Sequence, residues 1–396
     1  MSTAAIVGAG LTPFGRFQDQ SLRELAGAAI ADALADARMS HDDIDMAFVA
    51  NSMAAVTTGQ IAVVGQSVLR PLGYSGIPVY NIDNACAASS SALDLAVHAV
   101  ESGRAEVVLV VGVEKLFGSD RGDSFRALNG AVNTEYLATA QIRSEAESVF
   151  VARIYPERLD RYRTIFGLSA PTLAAIAVKN RLHASANPRA QYRTPLSSDD
   201  VLSARLVVEP LTVPMCAPIS DGASAVVVTS QHRACSAELR PIWVRGIAVG
   251  MGGETGHGRE SLVGRTARRA FGEAGLSPGD IDLAEVHDST AFNELLAYEE
   301  LGLCGPGEGA EFVLSGRSTL GGTLPVNTSG GLESRGHPVA ATGLAQIFEL
   351  VGQLRHEADE RQVPDARVAV AENAGGFVVD DTAAAVVTVL SAERPG

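Results

Sequence analysis

The chain states one plan twice, and that repetition limits its possible folds more than any other feature. In the first half, Ser21 to Ala37 is patterned as a helix with Leu22, Leu25, Ala29 and Leu34 on one face. It leads through Asp42-Asp43-Ile44-Asp45 into an extended run ending at Val49. In the second half, Ser261 to Glu273 is helical in pattern and leads through Gly279-Asp280-Ile281-Asp282 into a run ending at Val286. The β-branched run Val107 to Val113 reads as a strand buried on both faces, and Arg367 to Ala371 is its counterpart. Gly222 to Val228 is echoed by Ala383 to Leu390. Leu324 to Asn327 adds a short extended run, followed by Gly-rich turns and a helix from Pro338. Strands alternating with helices, repeated in one order, imply two similar α/β halves and not a solenoid.

Ala4 to Val7 is expected as the first strand, with Gly8-Ala9-Gly10 as the turn that leaves it. Pro13 stands where a dinucleotide fingerprint needs its third glycine, so that motif is not met. Hydrophobic residues make up 46% of the 396 and charged ones 19%, a globular composition. The formal charge of −15 argues against non-specific nucleic-acid or anionic-membrane binding. Cys86, Cys216, Cys235 and Cys304 are widely spaced without a metal pattern, which fits a reducing cytoplasm better than a disulfide framework. No signal peptide, membrane span or peroxisomal address is read.

The chemistry gathers at strand ends. The extended run Ile77 to Ile82 passes through a polar turn to Cys86, then a helix carries Leu93, Val97 and Val100 at helical spacing. A Cys inside an apolar helix is ordinarily a core residue. At a helix mouth lined by small residues, unpaired N–H groups favour a thiolate, so the position predicts a lowered thiol pKa and a nucleophile. The second half supplies His287, in Val286-His287-Asp288-Ser289, and His337, in Gly336-His337-Pro338, at equivalent strand ends. Of the other histidines, His41, His183, His232 and His356 read as surface residues, His98 as helix face, and His257 as unassigned. Between the repeated elements lies an insertion, Leu116 to Pro214. From Arg153 to Arg193 it holds eight Lys or Arg against Glu157 and Asp160. A solvated surface is the ordinary reading of such a run, yet it is also a place to receive a phosphate-bearing ligand.

Five stretches carry a family likeness: Asn84-Ala85-Cys86-Ala87-Ala88-Ser89; Ala177-Val178-Lys179-Asn180-Arg181 with Asn187-Pro188-Arg189-Ala190-Gln191-Tyr192-Arg193; Ser220-Asp221-Gly222-Ala223-Ser224; Val286-His287-Asp288-Ser289; and Gly336-His337-Pro338-Val339-Ala340-Ala341-Thr342-Gly343. With them the chain resembles the thiolase superfamily, within it the sterol-carrier-protein or lipid-transfer-protein branch. The resemblance implies two pseudo-symmetric α/β halves in a layered α-β-α-β-α arrangement. Residues 1–115 and 215–235 would form the first half, 116–214 an inserted, basic, CoA-facing loop domain, and 236–396 the second half. It also implies an acyl-CoA acyltransferase with Cys86 acylated, His337 as its base and His287 as an oxyanion donor. A second oxyanion hole would use the N–H groups of Cys86 and Gly375. Lys179, Arg181, Arg189 and Arg193 are the candidates for the CoA phosphates. No tightly bound cofactor is implied; a coenzyme A thioester is the substrate, and a homodimer or dimer of dimers the assembly.

The chain departs from the family pattern at three places. The last loop, Ala371-Glu372-Asn373-Ala374-Gly375-Gly376, has no Cys, and Ser289 stands where lipid-transfer-type members place theirs. Ser289 and Asn373 are the auxiliary candidates for that missing acid/base, although a Ser hydroxyl alone is too weak an acid or base for the task. Ala340 replaces a family glycine and is expected to narrow the pocket. The leading reading is therefore formation or cleavage of a carbon–carbon bond through acyl-Cys86 without the usual second Cys. The alternatives are a decarboxylating ketosynthase-like enzyme, and an aldolase or acyltransferase subunit that needs a zinc-ribbon/OB-fold partner.

Overall fold

The computed structural model describes residues 3–118, 120–139, 148–236, 239–253, 260–378 and 381–394. Among the described residues the main sheet has nine strands, β1 (Ala4–Leu11), β2 (Met46–Ala50), β3 (Val79–Ile82), β4 (Val107–Glu114), β5 (Gly222–Ser230), β6 (Ile242–Met251), β7 (Leu283–Glu285), β8 (Val368–Val378) and β9 (Asp381–Ser391), and Leu206–Val208 pairs with Leu211–Thr212 apart from it. The helices that concern the site are α1 (Leu22–Ala37), α2 (Ala88–Glu101), α3 (Tyr155–Phe166), α4 (Ala170–Ser185), α5 (Leu262–Ala274), α6 (Ala291–Glu300) and α7 (Thr342–Leu354). The nine strands lie in the order β3-β2-β4-β5-β1-β6-β9-β8-β7. Val326 bridges to Ala284 in parallel, as β3 does to β2, so each half has the same strand order. The halves join where β1 meets β6 antiparallel, at Ala5 with Trp243 and Ile6 with Ile242.

Strand alternation sorts the core into layers. Phe48, Val108, Val226 and Ile6 of the first half, and Leu283, Ala369, Val386 and Val244 of the second, pack on α2 and α7 between them. The opposite parity, Val49, Leu109, Val227 and Val7, packs on α1. Its counterpart, Ala284, Val370, Val387 and Ala248, packs on α5 and α6. The result is helix, sheet, helix, sheet, helix, with α2 and α7 shared.

The repeated sequence has a repeated physical cause. Ser40 and Ser277 each cap a short turn with Asp43 and Asp280. Asp45 then accepts from Val107 N–H at 2.9 Å and Asp282 from Val368 N–H at 2.9 Å, tying each strand start to its neighbour. Gly8 and Gly10 are not a strand-exit turn: β1 runs on to Leu11. A Cβ at either would strike the α1 backbone at Ala33 or Ala29, so the glycines let that helix lie close. Gly246 does the same for α5 at Ala270. Among the described residues no helix is long and apolar enough to cross a membrane.

Candidate active site

Cys86 lies in a one-turn helix, Ala85–Ala87, between β3 and α2. Ala85 takes a positive φ of 49° there, held by Asp83, whose carboxylate accepts from Ala85 N–H at 3.1 Å and Ser52 Oγ at 2.6 Å. His287 follows β7. Its N–H donates to Glu372 at 2.8 Å, while Asp288 accepts from Leu332 N–H at 2.7 Å and pins the loop to the Gly331–Arg335 turn. His337 N–H donates to Ser220 Oγ at 2.9 Å, and Ser220 donates in turn to Gln191 at 2.6 Å. The Asn187–Arg193 and Ser220–Ser224 stretches thus support the histidine loop.

Cys86 Sγ and one ring nitrogen of each histidine lie within 4.8 Å of one another, and the two rings meet edge to face at 5.1 Å. Hydrogen bonds give the two rings opposite tautomers. Thr342 Oγ1 donates to Pro338 O, so at 2.7 Å from His337 Nδ1 it accepts that ring's N–H and leaves Nε2 a lone pair. Asn373 Nδ2 donates to His287 Nδ1 at 3.1 Å, its own oxygen accepting from Ser90 Oγ at 3.1 Å. His287 therefore carries its proton on Nε2. The site offers one acceptor and one donor beside the sulfur. A metal ion would need a lone pair from both rings, so the set as bonded does not fit one.

The expected lowered thiol pKa is corrected. Burial pushes the Cys86 thiol up to about 12, and the Glu114 carboxyl adds to this against N–H bonds from Gly376 and Cys86 itself. The helix-mouth donors act, but desolvation outweighs them. Burial lowers His287 to about 3, and burial with His287 and Arg335 nearby lowers His337 well below its ordinary value. The resting pair is neutral thiol and neutral imidazole. Gly375 approaches the Cys86 backbone so closely that a Cβ there would sit 2.6 Å from Cys86 N, yet the last-loop N–H that reaches the sulfur is that of Gly376.

These groups line an inner cavity whose other walls include Met53, Leu128, Phe150, Tyr155 and Phe377. Ser289 also lines it, its hydroxyl 2.8 Å from the Tyr155 phenol. Ala340 does not narrow the cavity. It is fully buried and not among the lining residues, its N–H donating to Glu114 at 3.2 Å. An outer cleft shares Phe125, Ser148, Val151, Ala217 and Ile219 with the cavity.

Of the four cations read as phosphate ligands, Arg181 alone lines this cleft, stacked 4.9 Å over Tyr192. Lys179 is 5% exposed and commits its ammonium to Glu294 at 2.7 Å and Val326 O at 2.8 Å. Burial of that charge needs such partners, so Lys179 braces the loops. Arg189 pairs with Asp32, and Arg193 donates to Ser185 O. Arg16, over Phe117 at 5.2 Å, and Arg205 line the cleft and stand alone in the sequence, without a pattern to mark them. Asn180, beside Lys179, donates to Asp288, Glu294 and Glu333. His183 is a correction too: it is 1% exposed, bonded to Asn327 O and Leu320 N–H. His257 lies outside the described residues.

The Thiolase, N-terminal domain model matches residues 4–232, and the Thiolase C-terminal domain-like model matches 259–391. The chain is 35% identical to acetyl-CoA acetyltransferase of Methanothermobacter thermautotrophicus, over 95% of this chain and 97% of the relative. It is 37% identical to benzoylsuccinyl-CoA thiolase subunit BbsB of Thauera aromatica, over 94% of each. Human sterol carrier protein 2 is 35% identical over 93% of this chain and 69% of that protein. Among solved structures, the Ltp2-ChsH2(DUF35) aldolase superposes with a TM-score of 0.82 at 26% identity, covering 100% of this chain and 99% of the other. Human mitochondrial 3-ketoacyl-CoA thiolase shares the fold at a TM-score of 0.73 and 18% identity, over 98% of this chain and 99% of that one. Matched through both halves, with the cysteine and the two histidines meeting where the halves meet, this chain belongs to the thiolase family.

Proposed function

We propose that the protein is an acyl-CoA acyltransferase that forms or cleaves a carbon–carbon bond through an acyl-Cys86 intermediate. The observation that carries this is the oppositely protonated histidine pair within 4.8 Å of the Cys86 sulfur. His337 Nε2 takes the thiol proton as Sγ attacks the thioester carbonyl. The carbonyl oxygen becomes an oxyanion and is held by donors aimed into the cavity, His287 Nε2–H in one position, Cys86 and Gly376 N–H in the other. Collapse breaks the carbon–sulfur bond to coenzyme A, whose thiolate leaves with the proton from His337. Because both resting groups are neutral, the thiolate forms as it reacts. Arg16, Arg181 and Arg205 suit the phosphates of the departing coenzyme in the outer cleft.

The test is intact mass after incubation with a panel of acyl-CoA thioesters. One acyl adduct is expected on the wild type and none on Cys86→Ala. His337→Ala should acylate about 10²–10⁴-fold more slowly. An adduct that persists in Cys86→Ala would sink the reading.

A second reading is favoured by the missing thiol at Ser289 and by the full-length likeness to an aldolase. On that reading the Ser289–Tyr155 hydroxyl pair faces the carbon–carbon bond, and the chain works with a zinc-ribbon/OB-fold partner that supplies what it lacks. Activity appearing only on adding such a partner selects it; full activity of the isolated chain removes it.

A further inference from the structure

Tyr155 and Arg158, three residues apart on one face of α3, both line the inner cavity that holds Cys86. Arg158 lines this cavity together with the catalytic groups and does not line the outer cleft. Its guanidinium is thinly held. Nη1 donates to Thr382 Oγ1 at 3.4 Å, and among the described residues its carboxylate partner, Glu300, is 3.9 Å from Nη2. Both distances lie at or beyond the long limit of a hydrogen bond, and Arg has five donors to satisfy. The side chain keeps 27% of its surface open. The walls beside it, such as Leu296, Ile154 and Phe377, are apolar.

We propose that Arg158 makes this part of the cavity a binding subsite for a carboxylate carried on the acyl group of the thioester. An all-alkyl chain would strip water from the guanidinium and return nothing, whereas a carboxylate supplies two charge-assisted hydrogen bonds. Glu300 and Glu372 share the wall. Burial raises both carboxyls, Glu372 to about 8, which weakens their opposition to an incoming anion.

The proposal rests on the acyl-Cys86 reading, and binding to Cys86→Ala separates the two. Titration calorimetry of that variant with succinyl- and glutaryl-CoA, against butyryl- and valeryl-CoA, should give about tenfold or greater preference for the carboxylated thioesters. Adding Arg158→Leu should bring each chain-matched pair to within about threefold, and Arg158→Lys should keep part of the gap. Melting curves confirm that each variant is folded. Equal affinity for the matched pairs, or a preference that survives Arg158→Leu, overturns the subsite. Tighter binding of 3-hydroxybutyryl-CoA than succinyl-CoA overturns it in favour of a hydroxyl. A carboxylate preference without acylation of the wild type by any thioester upholds the subsite and overturns the acyl-Cys86 reading.

Discussion

His287 and His337 are the same side chain presenting opposite faces of its chemistry, and the difference lies in what each Nδ1 touches. Thr342 accepts a hydrogen bond from one ring and Asn373 donates one to the other. Replacing Asn373 by Asp puts an acceptor where the donor was, which moves the His287 proton to Nδ1 and removes the donor from the cavity. Asn373→Asp should slow Cys86 acylation by about 10²–10³-fold, more than Asn373→Ala does, in rapid-quench mass measurements. Equal losses in the two variants would show that the tautomer is irrelevant. Cys86 and His287 were legible because each follows a strand in a repeated plan. His337, expected at a strand end too, instead follows the short Gly331–Arg335 helix and was legible from its Gly-His-Pro motif before α7. Asn373 was legible as an auxiliary candidate and Thr342 only as part of a motif, while their effect on the ring protons depends on contacts across the fold. The thiol pKa was misjudged for a related reason: a helix mouth is local and readable, while desolvation is a property of everything packed around it.

At the scale of elements, the site depends on β8 passing very close to the Cys86 turn. Gly375 is paired in register with Ala384, and a Cβ on it would sit 2.6 Å from Cys86 N and 2.8 Å from Ala87 N, both backbone atoms. Gly375→Ala is expected to cost about 1–3 kcal/mol and to depress acylation strongly, read by denaturant melts and intact mass together. A fully stable, fully reactive variant would mean that the turn can yield. Strands β1 and β6 carry glycines whose role the sequence does not announce. Gly8 and Gly10 resemble a turn because a glycine is the same letter whether it bends a chain or admits a neighbouring helix. Lys179 misled similarly: a charge in a basic run looks solvated until Glu294 and Val326 are found around it.

Across the whole molecule, the buried ionisable groups set a pH window. Glu114 and Glu372 are 0% and 2% exposed, and burial raises each to about 8. The native state holds their protons more tightly than the unfolded chain, so their contribution is complete below about 4.5 and is lost as pH rises through 8. His183 and His287, lowered to about 3, act the other way, favouring the fold above about 6.5 and opposing it as pH falls. Between pH 6.5 and 8 only the carboxyls among these change, so stability should fall by on the order of 1 kcal/mol per pH unit for each group, and the melting temperature with it, levelling off above 8. Glu372→Gln should lessen that decline, with variant and wild type differing least below about pH 4.5. A melting temperature constant over the range would contradict the assignment. None of this was readable from net charge, which counts carboxylates without regard to where they are.

The shared middle layer has a consequence for motion. Helices α2 and α7 lie between the two halves of the sheet, and apart from Leu95 and His98 at one edge of α2 their side chains are largely buried. Most of their amides therefore have no local route to solvent short of parting the two halves. In deuterium exchange they should be the slowest segments, released only by the global opening that sets the lifetime of the fold. Cys86 stands at the mouth of one of them and His337 just before the other. The reacting atoms are therefore anchored to the least mobile amides of the molecule, and substrate has to bring the flexibility that the reaction needs.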